Sequence, residues 1–316
     1  DPKTTCRKCR FDRCCFVIAS CSRGNSMEDI QKDVVVKSRS NSAVRATAPT
    51  EITPSPFLDH ETALFADSSC TETPTLERMK RAYGVLCMMR KNGEMGTCST
   101  QTFDQFQRGT IEFSLITYTT NVPNQRIMYV GLLDFFASSF DDFRKLSKEE
   151  QRILVYTNFD LFNKIDNLYR SIHHFPEDDT IMPSYTTTFN VNQVDEFLKD
   201  SPPNVNREEA AKEMVRQHKR NIIANKAHFL RVQPTGEEFL ALIGLALWND
   251  HSSIDDDKIA ETVSKNRAII MAELHKYYAI RGRSYYADRL GDVLCLLVNI
   301  EEAATQQKED DKVYSL

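Results

Sequence analysis

The stretch FFASSFDDFRKLSKEEQRILVY, from Phe135 to Tyr156, decides the fold of this 316-residue chain. Its first part continues an apolar stripe whose spacing of three and four residues is typical of one helix face. The members of that stripe are Met128, Leu132, Phe136, Phe140 and Phe143. Ser147, followed three residues later by Glu150, has the Ser-x-x-Glu pattern of a capping box. The pattern therefore predicts a long amphipathic helix that ends near Leu146 and a buried central helix that begins directly after it.

The order of residues in this stretch also resembles the signature of nuclear hormone receptor ligand-binding domains. That signature reads aromatic-Ala-x-x-apolar-x-x-Phe-x-x-Leu-x-x-x-acid-Gln-x-x-apolar-apolar. The residues that carry the resemblance are Phe136-Ala137, Phe140, Phe143, Leu146, Glu150-Gln151 and Leu154-Val155. The resemblance implies an all-α fold over residues 74–316, a layered antiparallel sandwich of helices with one short β-hairpin. An ordinary helical hairpin is the alternative that this stretch leaves open.

A second cluster of chemistry lies at the N-terminus, where residues 6–15 read CRKCRFDRCC. Cys6 and Cys9 form a C-x-x-C pair, which can supply two thiolates to one zinc ion. Five of the nine cysteines lie between Cys6 and Cys21. Because we find no secretory signal, this clustering favours metal binding over disulfides. Four cationic side chains interleave with the cysteines and suit contact with the phosphates of a DNA backbone, namely Arg7, Lys8, Arg10 and Arg13.

The same ten residues resemble the end of the second zinc module of the nuclear receptor DNA-binding domain. The resemblance implies that Cys6 and Cys9 are zinc ligands and that Cys14 packs without binding metal. Tetrahedral zinc needs four ligands, and the remaining family ligands would lie upstream of Asp1, with Cys14, Cys15 or Cys21 as alternatives. We therefore expect zinc in the full-length module, but neither a closed zinc site nor specific DNA binding in this chain.

Composition and charge divide the chain into three parts. Residues 1–45 hold ten Lys and Arg against five Asp and Glu, although the whole chain has a net charge of −5. This basic head predicts a nucleic-acid contact, or else a short solvated segment that happens to be basic. Residues 1–21 are interpreted as the remnant of the zinc module. Residues 22–73 are rich in Ser, Thr and Pro without apolar periodicity and are interpreted as a flexible hinge.

Several classes of function are excluded by what the sequence lacks. No apolar run reaches the ~18 residues that would span a bilayer, so no membrane partner is expected. No phosphate-binding loop, nucleophile elbow or zinc-protease motif occurs, and the histidines are scattered. The paired His173 and His174 are interpreted as the end of a helix rather than as metal ligands. The sequence therefore predicts that the protein is not an enzyme.

Periodicity predicts the remaining elements of the helical domain. Helices are expected over residues 75–92, 124–145, 148–171, 206–231, 235–249, 254–280 and 283–308, with Gly93 as the stop of the first. Residues 176–192 are β-branched and aromatic and predict a hairpin, whereas family context favours a loop for residues 93–123. The last helix carries an apolar seam at spacings of four and three, formed by Tyr286, Leu290, Val293, Leu297 and Ile300. We expect this seam to join two copies or a related partner; the alternative is packing inside the same domain, which would also use Leu294 and Val298.

The resemblance also implies where ligands and partners would bind. A pocket for a small apolar ligand is expected under Met128, Leu132 and Phe136. A groove for the helices of transcriptional coregulators would involve Ser138, Phe143, Gln151 and Val155. Ser138 stands where the family has a lysine, and charged side chains at Asp134, Lys148 and Arg152 oppose the docking of an apolar helix. Since no final activation helix is recognised after residue 308, we expect weak coactivator recruitment.

These observations predict a nuclear transcription factor that binds DNA through zinc modules and is regulated through its helical domain. The alternative is a receptor-derived interaction module that does not bind DNA and acts by dimerisation. A third interpretation is a domain whose pocket is filled by its own aromatic side chains, since the chain has 18 phenylalanines.

Overall fold

The computed structural model describes residues 72–97, 113–203, 205–249, 257–282 and 286–314. The long helices, in chain order, are α1 (Pro74–Thr97), α2 (Tyr118–Ser139), α4 (Lys148–His174), α6 (Arg207–Gln217), α7 (Ala224–Val232), α8 (Gly236–Leu247), α9 (Asp257–Ile280) and α10 (Ala287–Tyr314). The short elements are β1 (Ser114–Leu115), α3 (Asp141–Lys145), β2 (Thr187–Thr188), a 3₁₀ turn (Val191–Gln193) and α5 (Val194–Leu198). Among the described residues the domain is therefore mainly helical with one small sheet, as predicted.

The central helix α4 forms the middle layer of the sandwich, and its start is set by local hydrogen bonds. Ser147 Oγ accepts from the Glu150 backbone N–H at 3.2 Å, and Glu150 Oε2 accepts from the Ser147 N–H at 2.5 Å. This is the predicted capping box. Helices α2, α7, α8 and α10 all contact α4, which explains why α4 is apolar on more than one side.

Helix α8 lies deepest in the fold. Thr235 Oγ1 accepts from the Glu238 backbone N–H in a second capping box, and every residue from Glu238 to Leu247 is buried. Trp248 follows directly and is fully buried, with its ring edge-on to Phe140 at 5.4 Å between centroids. The almost wholly apolar sequence of this segment correctly indicates a buried helix.

The corner between α2 and α4 differs from the predicted continuous helix. Phe140 adopts an extended conformation (φ −126°, ψ 117°), so α2 ends at Ser139 and α3 starts at Asp141. Phe140 turns the chain there because its side chain is buried against Trp248. The prediction of one helix over residues 124–145 is therefore wrong at Phe140. It is also wrong at the start, because Thr117 caps α2 and the helix begins at Tyr118.

Two further predictions are corrected in the first part of the domain. Gly93 lies inside α1 rather than at its end. A Cβ atom at Gly93 would lie 3.1 Å from Ile127 Cγ2, so the glycine permits close packing of α1 on α2. In the region predicted as a loop, Ser114 and Leu115 form β1, which pairs in parallel with β2. The Ser114 N–H donates to the Thr186 carbonyl at 3.1 Å.

The predicted hairpin is present in reduced form. Ile181 and Phe189 exchange two backbone hydrogen bonds of 2.9 and 3.0 Å in an antiparallel bridge. The strand on its second arm, β2, pairs with β1 rather than with its own first arm. Residues 206–231 form the expected helix, interrupted by a π-helical turn at His218–Ile223 that separates α6 from α7.

Candidate functional site

The three side chains predicted to line a ligand pocket lie on the inner face of α2. Met128, Leu132 and Phe136 are each at most 1% exposed. The Phe136 ring packs edge-on against Phe162 of α4 at 5.8 Å between centroids. None of the three lines the cavity of about 530 Å³ beside β1 or the groove of about 410 Å³ between α1 and α2. In the described residues they pack as core side chains, and ligand binding there stays a prediction.

A buried cluster of charges connects α1 with α4 beside this core. The Asp166 carboxylate accepts from Arg90 Nη1 at 2.7 Å and from Arg170 Nε and Nη2 at 3.1 and 3.0 Å. The Tyr83 hydroxyl donates to the second carboxylate oxygen of Asp166 at 2.5 Å. All four side chains are at most 4% exposed. The cluster therefore satisfies most of its own hydrogen bonds in a medium where an isolated charge would be very costly.

The electrostatics of the cluster follow from this pairing. Burial alone would raise the pKa of Asp166, but the Arg170 and Arg90 guanidiniums lower it to about 2. Burial opposes the charged form of Arg90, yet the carboxylates of Asp166 and Glu94 raise its pKa well above the ordinary value. Asp166 is therefore ionised and both arginines are charged at neutral pH.

The same cluster holds the segment around β2. Arg170 donates from Nη1 to the Ser184 carbonyl and from Nη2 to the Met182 carbonyl, at 2.9 and 3.0 Å. The guanidinium carbons of Arg90 and Arg170 lie 4.9 and 4.8 Å from the centre of the Tyr185 ring. Each of the three guanidinium nitrogens of Arg170 donates to an acceptor of the protein, so the role of this side chain is to hold the fold together.

Sequence reasoning missed this cluster. Its only local signal is the spacing of four residues between opposite charges, Arg90 with Glu94 and Asp166 with Arg170. That spacing is common on solvent-exposed helix faces. Only the tertiary structure, in which Tyr83 and Arg90 of α1 reach Asp166 of α4, shows that these charges are buried.

Of the four predicted coregulator residues, one is exposed and three are buried. Ser138 is exposed on α2. Phe143, Gln151 and Val155 are 0, 5 and 1% exposed. Gln151 Nε2 donates to the carbonyls of Phe143 and Leu146 at 2.9 and 3.1 Å, so it secures the end of α3.

The exposed part of the same surface is charged, as the sequence predicts. Asp134, Lys148 and Arg152 are all exposed. Two apolar side chains of α4, Ile153 and Tyr156, are 45 and 76% exposed beside them. Charges interspersed among the apolar side chains oppose the docking of a purely apolar helix face.

The predicted dimer seam on α10 lies inside the domain. Leu290, Val293, Leu297 and Ile300 are at most 4% exposed, and Leu294 and Val298 are buried beside them. Helices α4, α7 and α8 contact α10 and cover this seam. Tyr286, half-buried, donates to or accepts from His275 Nδ1 at 2.9 Å and stacks on Tyr278. The spacing therefore reflects packing within the domain, and the assignment of these residues to a partner interface is corrected.

The N-terminal predictions lie outside the described residues. These are the zinc ligands Cys6 and Cys9, the DNA-backbone contacts Arg7, Lys8, Arg10 and Arg13, and the hinge at residues 22–73 apart from Glu72 and Thr73. Within the described ranges, no group of three or more His, Cys, Asp or Glu side chains is arranged to hold a metal ion. No described helix combines the length and the apolar character needed to cross a membrane.

The fold is a helical sandwich built around the buried central helix α4, and Gln151 secures the corner that precedes it. This arrangement is that of a receptor ligand-binding domain. Residues 130–315 match the sequence model described as the ligand-binding domain of nuclear hormone receptor. The chain belongs to the nuclear hormone receptor family. Members of this family are transcription factors without enzymatic activity, which confirms the prediction that the protein is not an enzyme.

Two relatives from Caenorhabditis elegans extend the similarity beyond the helical domain. The high zinc activated nuclear receptor protein is 21% identical over 328 residues, which cover 99% of this chain and 77% of the relative. The nuclear hormone receptor family member nhr-43 is 22% identical over 337 residues, covering 95% of this chain and 74% of the relative. The chain is thus a divergent member that is similar to nematode receptors.

Proposed function

We propose that this protein regulates transcription in the nucleus, with DNA bound through zinc modules and activity controlled through the helical domain. The observation that carries the proposal is the family match over residues 130–315, which contains the corner secured by Gln151. The C-x-x-C pair of Cys6 and Cys9 with its interleaved cations supports the DNA-binding part. A small apolar ligand, coregulators and a dimer partner are further parts of the proposal.

A tethering experiment tests the regulatory part. The full chain is fused to an unrelated DNA-binding domain in cells that carry a matching reporter gene. We expect reporter output to rise or fall several-fold relative to the unrelated domain alone. The variant Gln151→Ala, which removes the hydrogen bonds to Phe143 and Leu146, should reduce the effect. Gln125→Ala is the matched control, because the half-buried Gln125 bonds to the side chains of Asn121 on α2 and Asn163 on α4 and not, among the described residues, to the corner at Phe143 and Leu146.

If the fusion protein is well expressed and located in the nucleus but reporter output is unchanged, the regulatory role is contradicted. The zinc content of the purified chain tests separately whether residues 1–21 close a zinc site. We expect less than one zinc per chain, because only Cys6 and Cys9 carry the family's ligand pattern. A value near one would mean that two further ligands, drawn from Cys14, Cys15 and Cys21, complete a site.

The alternative of a module that acts only through dimerisation rested on the α10 seam. Since the seam residues are covered by α4, α7 and α8, that observation no longer favours it. The third interpretation, a core filled by aromatic side chains, is supported by the contact of Phe136 with Phe135, Phe140, Phe143 and Phe162. We therefore expect a high proportion of the domain's activity to persist without added ligand.

A further inference from the structure

An open cavity of about 530 Å³ lies on one face of the small sheet formed by β1 and β2. Side chains alternate between the two faces of a strand, so Phe113 and Leu115 share a face. The register pairs Leu115 with Thr188, which places Asn190, two residues further on, on that face as well. Asn190 Nδ2 donates to Thr180 Oγ1 at 3.4 Å. The described residues that line the cavity are Phe113, Leu115, Phe175, Thr180, Thr188, Asn190, Asn192 and Gln193.

The walls of this cavity are held in place by contacts within the chain. Lys226 Nζ donates to the carbonyls of Phe175 and Thr180 at 2.5 and 2.7 Å, which fixes the segment after α4. The half-buried rings of Phe113 and Phe175 meet edge to face, with 5.4 Å between their centroids and 64° between their planes. The cavity is therefore preformed, and one of its walls is an aromatic corner.

The described lining is neutral, since none of its side chains is ionisable. The ammonium group of Lys226, which adjoins the lining, is engaged by backbone carbonyls. Asp178 Oδ1 accepts from the Thr180 N–H at 2.7 Å. His174, whose ring lies 6.2 Å from that of Phe113, has a pKa that burial lowers to about 4, so it is uncharged at neutral pH. The lining therefore offers no countercharge to an ionic ligand and favours a neutral one.

Three side-chain amides form the polar part of the lining. That of Asn190 is used within the chain, because its Oδ1 accepts from the Asn192 N–H at 3.0 Å and its Nδ2 donates to Thr180. The side-chain amides of Asn192 and Gln193 make no hydrogen bond with any described residue. Each amide presents a donor next to an acceptor, the pattern that pairs with the edge of a nucleobase.

We propose that this cavity binds a neutral, planar heteroaromatic molecule with neighbouring donors and acceptors on its edge, the chemistry of an unphosphorylated nucleoside. The ring of such a molecule would stack in the corner formed by Phe113 and Phe175. Its edge would pair with the amides of Asn192 and Gln193. The volume of the cavity lies within the range of about 300–1,000 Å³ that is usual for small-molecule sites.

Other ligand classes fit the lining less well. A wholly apolar molecule would cover the amides of Asn192 and Gln193 without pairing them, which is unfavourable. A sugar has no flat π face to place against the aromatic corner. The site is also distinct from the predicted pocket of Met128, Leu132 and Phe136, because no residue of α2 is among the described lining residues. The proposal therefore stands independently of the proposed transcriptional role.

Isothermal titration calorimetry with the purified full chain tests the proposal. The probes are adenosine, cytidine and uridine, each compared with its monophosphate, and glucose serves as a probe without an aromatic ring. We expect at least one nucleoside to bind saturably and its monophosphate to bind no more tightly, because the described lining holds no cation for the phosphate. Glucose should not bind.

Variants of the lining assign the binding to this cavity. The double variant Asn192→Asp with Gln193→Glu keeps the side-chain shapes but replaces both amide donors by carboxylates, and it should weaken the nucleoside about tenfold, the change expected for losing one amide–base pair. Phe175→Leu, which removes the ring and keeps an apolar side chain, should weaken it several-fold. Gln233→Glu is the matched control, because Gln233 is exposed and lies outside the lining, and it should change nothing. Thermal unfolding confirms that each variant is folded.

Three results would overturn the proposal. The first is the absence of saturable binding for all three nucleosides, whether or not glucose binds. The second is tighter binding of the monophosphate than of its nucleoside, which would mean that a charge is recognised. The third is unchanged nucleoside binding in the amide double variant, which would place the binding elsewhere. None of these outcomes bears on the reporter experiment, so the two proposals can fail separately.

Discussion

Replacing Asp166 by asparagine tests whether the buried charge cluster is a major source of stability. The substitution keeps the shape of the side chain but removes the negative charge that Arg90 and Arg170 share. Two buried guanidiniums would then face one remaining carboxylate, that of Glu94, which lies 3.7 Å from Arg90 Nε. Breaking a buried ion pair by removing one partner typically costs about 3–5 kcal/mol. We expect a loss of this size in the free energy of unfolding of the helical domain.

Urea denaturation followed by tryptophan fluorescence measures this loss. Trp248 is the single tryptophan of the chain and is fully buried, so its emission reports on the core of the helical domain. The midpoint should move to lower urea while the slope m stays unchanged, as expected for a change in stability alone.

Asp142→Asn is the control for an ion-paired carboxylate near the surface. Asp142 also has a pKa lowered to about 2, through hydrogen bonds from Lys145 and Lys265. Both lysines are more than half exposed, so solvent screens these pairs and the expected loss is at most about 1 kcal/mol. If Asp166→Asn costs no more than Asp142→Asn, the view of the cluster as a strongly coupled buried unit is wrong.

The pH dependence of the same variant adds an independent check. The folded-state pKa of Asp166 is about 2, below the value near 3.9 of an unfolded chain. Its contribution to stability is therefore present above about pH 4 and is lost as pH falls from 4 to 2. Asp166→Asn should remove that part of the acid destabilisation, and an unchanged acid profile would contradict the assignment.

Three further predictions concern packing, hydrogen bonding and titration. Gly291→Ala should stabilise by up to about 1 kcal/mol, because nothing lies within 4 Å of the new Cβ, whereas Gly131→Ala should destabilise by about 1 kcal/mol through overpacking; equal effects in urea denaturation would contradict this. Lys226→Met should cost about 2–3 kcal/mol, since its Nζ donates to the carbonyls of Phe175, Asp178 and Thr180 after the end of α4 at 2.5–2.7 Å, and a loss below 1 kcal/mol would contradict the importance of these three bonds. Burial lowers the pKa of His174 to about 4, so its neutral form favours the fold and stability should fall as pH drops from 6.5 towards 4. Thermal unfolding of His174→Gln should show a flatter profile in that window.

A structural feature can be predicted from the sequence when the interaction that forms it is local. The capping box of Ser147 and Glu150 and that of Thr235 and Glu238 each lie within four residues. Such hydrogen bonds form whatever the rest of the chain does, so the starts of α4 and α8 could be predicted. The ends of helices were less accessible, because Gly93 packs against Ile127 and Phe140 against Trp248, which are distant in sequence.

The features of the candidate site likewise divide into those that depend on local sequence and those that depend on tertiary packing. The stretch from Phe135 to Tyr156 by itself determined the family, the central helix and the charged character of the α2–α4 surface, because these depend on the order and spacing of neighbouring residues. Only the tertiary structure decided that the α10 seam faces inward and that Asp166, Arg90 and Arg170 are buried together. The physical reason is that an apolar stripe or an i, i+4 charge pair has the same sequence pattern whether it faces solvent, a partner or the core. The packing of the other helices decides which of these it faces.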